Sequence, residues 1–229
     1  MNVQRWLALM ERLQLPPAHE TFDGLAQVYT ADDRHYHNAE HIAHCLAELD
    51  AAASHIPQPD PLELALCFHD AVYDSHSASN EADSAQWAAN FLNGCQAPPE
   101  LTDTVVALIL ATRHQPDDLI PSAAWMVDID LAILGSDPAH FAVYEQAIRE
   151  EYAWVPEPIF REKRAAILRT FLERPALYTT THFHRKYETQ ARLNLARSIF
   201  ALESTFDIDR CADYLNEEMA NGLAYQADL

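Results

Sequence analysis

Glycine is scarce in this chain, with four in 229 residues against a usual share of about 7%. That poverty leaves no glycine-rich loop to cradle a phosphate. It also argues against a turn-rich β architecture, because the few β-branched runs sit inside patterns of helical rather than two-residue periodicity. Positive charge is equally thin: 15 Lys+Arg face 35 Asp+Glu, a formal charge of −20. Such a surface repels a phosphate backbone, so duplex nucleic acid is excluded as an expected partner. Long apolar runs are missing too. The longest, residues 105–111, falls far short of the roughly 20 residues a membrane span needs, so no membrane partner is expected. The first ten residues lack the charged-then-apolar order of a signal peptide, and a cytoplasmic location is expected. The four cysteines, Cys45, Cys67, Cys95 and Cys211, show no C-x-x-C spacing, which fits neither a disulfide framework nor a zinc ribbon.

The chain has an ample apolar fraction, 49% hydrophobic against 22% charged, enough for a packed core. Proline clusters near 16–17, 55–61, 98–99, 116–121, 138 and 156–158 punctuate stretches of helix formers. The pattern predicts helices near 3–14, 19–30, 38–54, 61–74, 79–93, 99–114, 122–134, 138–153, 158–173 and 186–204, with a looser one after Asp209. At Gly135–Pro138 the sequence reads as a stop and a start. Gly135 can close one helix in the left-handed conformation, Asp137 can cap the next, and Pro138 suits its first turn. With no repeat or linker, the expectation is an all-α fold, a single helical domain over 1–229 with its core motifs in 34–135 and the helices of 138–229 packed on it.

Twelve histidines are present, and four fall within Arg34-His35-Tyr36-His37-Asn38-Ala39-Glu40-His41-Ile42-Ala43-His44. On a helix, His37, His41 and His44 share a face. Further along, His69-Asp70 interrupts the apolar stretch Leu64-Ala65-Leu66-Cys67-Phe68, and Asp128 and Asp130 interrupt Trp125–Leu134. A buried ionised carboxylate without a partner costs several kcal/mol, so these acids call for a cation. His41, His69, Asp70 and either Asp130 or Asp128 make a two-nitrogen, two-oxygen set from three helices. That set suits a first-row divalent ion with water in its open positions.

An isolated His, then His-Asp, then a distant Asp resembles the HD superfamily of metal-dependent phosphohydrolases. The segments YHNAEHI, FHDAVYD and DIDLAILG are most similar to small bacterial proteins of that superfamily, and NEADSA, IREEYAWVP and ETQARLNL extend the likeness over roughly residues 30–200. The resemblance implies a helical bundle that hydrolyses a small phosphate ester or anhydride, such as a nucleotide, through a metal-activated water. It implies His41, His69, Asp70 and Asp130 as ligands, Asp130 being preferred to Asp128 because it precedes a leucine. The ion would be Mn, Fe, Co, Ni, Zn or Mg. Tyr36-His37-Asn38-x-x-His41 is also similar to the Y-H-N-x-x-H segment of cyclic-nucleotide phosphodiesterases, which implies His37 as the acid that protonates the leaving group, beside Asp70 at the catalytic centre. Asp128, His114, Asp74 and Glu40 are candidates for an outer shell or a second ion, and Arg34, Arg113 and Lys186 for contacts to substrate phosphate.

Two rival readings stand beside this one. His37-Asn38-Ala39-Glu40-His41 matches H-x-x-E-H, a zinc-peptidase motif, although those enzymes use a larger α/β fold. Alternatively, a helical domain can keep its metal site and serve as a small-ligand sensor or assembly module without turnover.

Overall fold

The computed structural model describes residues 2–113 and 122–203, so His114, Cys211 and the helix expected after Asp209 lie outside the described residues. The described residues are helical without a strand among them. Ten α-helices follow in order: α1 Val3–Arg12, α2 His19–Val28, α3 Ala39–Ala52, α4 Pro59–Phe68, α5 Asn80–Gly94, α6 Pro99–Ala111, α7 Ala123–Asp130, α8 Pro138–Glu151, α9 Glu157–Leu172 and α10 Thr181–Glu203. The all-α class is as the composition indicates. No described helix is long and apolar enough to cross a membrane. The chain divides into two compact units, Met1–Asp130 and Leu131–Leu229, and all of the two-nitrogen, two-oxygen ligand candidates fall in the first.

In the first unit α4 is the central helix, packed against α1, α3, α5 and α6. Its residues Leu62 to Phe68 are buried without a break, which is why this segment shows no amphipathic alternation in the sequence. Trp6 of α1 lies fully buried against the tilted rings of Phe22, Phe68 and Phe91. One acid in the α4 core, Glu63, is neutralised by Arg5 at 2.7 Å and Arg12 at 2.6 Å, both from α1. Two guanidinium groups thus stabilise a carboxylate that would otherwise be costly to bury.

The second unit is built around α10, which packs on α9 and on the short 3-10 segment Leu131–Gly135. Asn194 donates from Nδ2 to the carbonyls of Leu134 and Ser136, both at 2.8 Å. Glu188 is buried and accepts from the backbone N–H groups of Leu177 and Tyr178 as well as from Arg192. The Glu188–Arg192 pair therefore anchors a loop, where the sequence spacing alone suggests a surface pair.

Several boundaries differ from the sequence reading. Helix α4 stops at Phe68, so His69 and Asp70 lie beyond a helix end rather than on a helix face. Helix α10 begins at Thr181, five residues before the expected start at 186, and takes in the last of the three threonines Thr179-Thr180-Thr181. Asp137 caps α8 by accepting from the N–H groups of Ala139 and His140, with Pro138 in the first turn. Gly135, however, has no positive φ. Its need for glycine is spatial, because a Cβ there would collide with Cβ, Cγ and Cδ1 of Tyr187. Left-handed residues just past helix C-termini are instead Gln14 (φ 57°) after α1 and Gln96 (φ 56°) after α5. Each is followed by the six-to-one bond of a Schellman turn, Leu15 N–H to Met10 and Ala97 N–H to Leu92.

Candidate metal centre

The approach to α3 sets the first ligand. Asn38 is the N-cap, its Oδ1 accepting from the N–H groups of Glu40 at 2.8 Å and His41 at 3.3 Å, so His41 occupies the first turn with its ring directed inward and 4% exposed. The end of α4 sets the next two. His69 occupies the C-cap and Asp70 follows it. Ser84 holds the loop beyond through the backbone of Val72, and Asn80 does the same through Asp74. Asp130 is the last residue of α7.

These elements bring four polar tips together. His41 Nε2 lies 3.1 Å from His69 Nε2, 3.4 Å from Asp70 Oδ2 and 3.3 Å from Asp130 Oδ1. His69 Nε2 lies 3.0 Å from Asp70 Oδ2 and 3.4 Å from Asp130 Oδ1. Ions with bonds of about 2.0–2.1 Å hold neighbouring ligand atoms about 2.8–3.0 Å apart in octahedral and about 3.3–3.4 Å apart in tetrahedral geometry, the range seen here.

The proton positions sharpen the point. His69 Nδ1 faces the carbonyl oxygen of Leu66 at 3.0 Å. A carbonyl only accepts, so Nδ1 carries the hydrogen and the neutral ring turns the Nε2 lone pair toward the carboxylates. Asp70 Oδ2 is buried and makes no hydrogen bond of acceptable geometry. Lone pairs crowded at this distance require a positive charge, supplied by a proton or by a metal. Without a metal, protons fill that need. Burial works to lower the pKa of both imidazoles, yet it is outweighed. Cys45, Tyr36, Asp130 and Asp70 raise His41, and Asp70 and Asp130 raise His69. Asp70 is held well below the usual carboxylate range: burial opposes ionisation, while His69, His37 and His41 favour it.

The sequence did not single out Cys45. It lies one turn after His41 on α3, fully buried, and His41, Cys45, His69 and Asp130 form a set of donor atoms all within 4.8 Å of one another. The only signal was the four-residue spacing on a helix, which a buried thiol inside an apolar pattern hides.

Other sequence candidates have different surroundings. His37 precedes α3, outside the shared helix face expected from the spacing. Its ring stacks on Tyr73 (centroids 4.0 Å apart) and lies 6.2 Å from the ring of His41. His44 Nε2 is 3.9 Å from Glu48 Oε1. Arg34 spends its guanidinium on backbone carbonyls, those of His37 (3.1 Å), Asp70 (2.6 Å) and Ala71 (3.0 Å), so it positions the site's two loops. Asp74 is exposed and accepts from His76. Glu40 and Arg113 are exposed, and Asp128 is fully buried. Lys186 belongs to the second unit, its Nζ over the ring of Tyr187. With His37 off the helix and Glu40 facing solvent, the H-x-x-E-H letters do not form the paired-histidine helix face of a zinc peptidase.

Fold and site together define an all-helical protein with a buried histidine and acid cluster able to bind a metal ion. No protein-family model, curated protein or solved structure matches the chain.

Proposed function

We propose that this protein is a metal-dependent phosphohydrolase of the HD type, acting on a small phosphate ester or anhydride. The observation that carries the reading is the convergence of His41, His69, Asp70 and Asp130 within 3.0–3.4 Å around an oxygen without a hydrogen bond. The ligand order along the chain supports the superfamily.

When bound, a divalent ion supplies Lewis acidity and a water of lowered pKa. The chain's own residues do the rest. His69 is fixed by the Leu66 carbonyl in the tautomer that presents Nε2. Asn38 sets the backbone of His41, and Arg34 ties the loop before α3 to the loop after α4. His37, half-buried between Tyr36 and Tyr73, holds an imidazole beside the cluster that can donate a proton to the leaving oxygen.

The test is a panel of phosphomonoesters, phosphodiesters and nucleotides offered to the purified full chain with Mn, Co, Ni, Zn or Mg. Metal-dependent release of phosphate or alcohol, absent in Asp70→Ala, supports the reading. Stoichiometric metal binding with no turnover on any ester overturns it in favour of a sensor or assembly module.

A further inference from the structure

Cys45 is the donor that hydrolysis by a two-histidine, two-carboxylate site leaves without a task. Its Sγ lies 3.8 Å from His41 Nδ1 and 3.7 Å from His41 Nε2. Both are long, weak contacts, and their near equality places the sulfur beside the ring rather than in line with either nitrogen's lone pair. Meanwhile Sγ joins His69 and Asp130 in the mutually close donor set. A bond of about 2.3 Å to an ion on the Nε2 lone pair therefore needs the Cys45 side chain to turn about χ1 from the ring toward that nitrogen.

We propose that Cys45 is a thiolate ligand of the same ion, making the site selective for borderline divalent metals, zinc, iron or cobalt, over magnesium and calcium. The inference rests on the cluster holding a metal at all. As the sulfur–metal bond forms, the S–H bond breaks and its proton leaves to solvent, with no change of oxidation state. Thiolates favour soft and borderline ions, whereas magnesium and calcium prefer all-oxygen shells. Cys67 supplies a control: it is buried at the core of α4, where burial and Glu63 push its thiol up to about 12, and it lies outside the donor set.

The experiment is titration of cobalt(II) into the full chain after stripping with a chelator. The expected spectrum combines visible ligand-field bands with a near-ultraviolet thiolate-to-cobalt charge-transfer band. Cys45→Ser should keep the visible bands and lose the near-ultraviolet one, while Cys67→Ser keeps both. Zinc affinity in Cys45→Ser should fall at least the roughly 10- to 100-fold that loss of an outer-shell partner causes, with magnesium affinity little changed. If wild-type protein binds cobalt without the charge-transfer band, or if Cys45→Ser retains it, Cys45 is not a ligand although the metal site stands. If cobalt does not bind at all, the metal-site reading and this inference fall together. The wild-type spectrum decides the matter even if a variant fails to fold.

Discussion

The Nε2 atoms of His41 and His69 face each other at 3.1 Å, too close for two lone pairs and too close to Asp70 and Asp130 to stay neutral in an empty site. Protons and metal therefore compete for one place. Because both histidines have pKa values raised from the ordinary 6.5, the stability they give the empty protein is fully present below about that pH. It is lost as pH rises through the raised folded values. Asp70 works in the other direction. Its lowered pKa stabilises the fold above its ordinary 3.8, and this contribution is lost as pH falls toward the depressed value. Thermal melts of chelator-stripped protein should thus show Tm declining on the alkaline side. Saturating divalent metal should abolish that decline, since ligation replaces the missing protons. An alkaline limb unchanged by metal would contradict the shared-site argument.

Asp70 and His37 should separate ligation from proton transfer. Asp70→Ala is expected to lose both bound metal and hydrolysis. His37→Ala should retain its metal and lose turnover by about 10²- to 10⁴-fold, the usual contribution of a general acid. The loss should shrink on nitrophenyl esters, whose leaving group needs no proton. Metal analysis alongside kinetics on both ester types reads the contrast, and loss of metal in His37→Ala would make that histidine a ligand.

Arg34 offers a different signature. Its three carbonyl contacts are charge-assisted, and such bonds contribute about 1.5–3 kcal/mol each at most. Arg34→Ala should lower unfolding stability by about that amount and weaken metal binding by loosening both loops. Denaturant melts check the first effect and metal titration the second. A variant with native stability and a raised KM alone would instead assign Arg34 to substrate phosphate.

Gly135→Ala should destabilise by about 1–3 kcal/mol or more, the cost of overpacking, because the added carbon meets Tyr187 near its backbone. Tyr187→Ala in the same chain should recover part of the loss. Equal melting of wild type and the single variant would mean that the segment shifts freely.

Much of this was legible in the sequence, and the reasons differ by residue. The ten helices of the described residues followed from the prolines and the apolar periodicity, and Asp137-Pro138 specified its own cap. His41, His69, Asp70 and Asp130 stood out because charge inside an apolar stretch demands a partner. The position of His69-Asp70 beyond α4 was hidden, since Leu64–Phe68 continues into Ala71-Val72 with no breaker and the stop is made by tertiary contacts of Arg34 and Ser84. Gly135 misled for a related reason, as glycine signals either a backbone angle or a close neighbour, and only the fold distinguishes them. Cys45 reads as a small hydrophobe until His69 and Asp130 come near it.

The places where the helices end carry one more consequence. His69 and Asp70 sit at the C-terminal end of α4, where the helix dipole adds about half a negative charge. An anion reaching the metal-free site would meet that helix end, two carboxylates and a protein of formal charge −20. A dication offsets most of that local negative charge. On the proposed phosphohydrolase reading, binding would then be ordered, the cation entering first and the phosphate second, and the metal supply of the protein's surroundings would gate its affinity for phosphate.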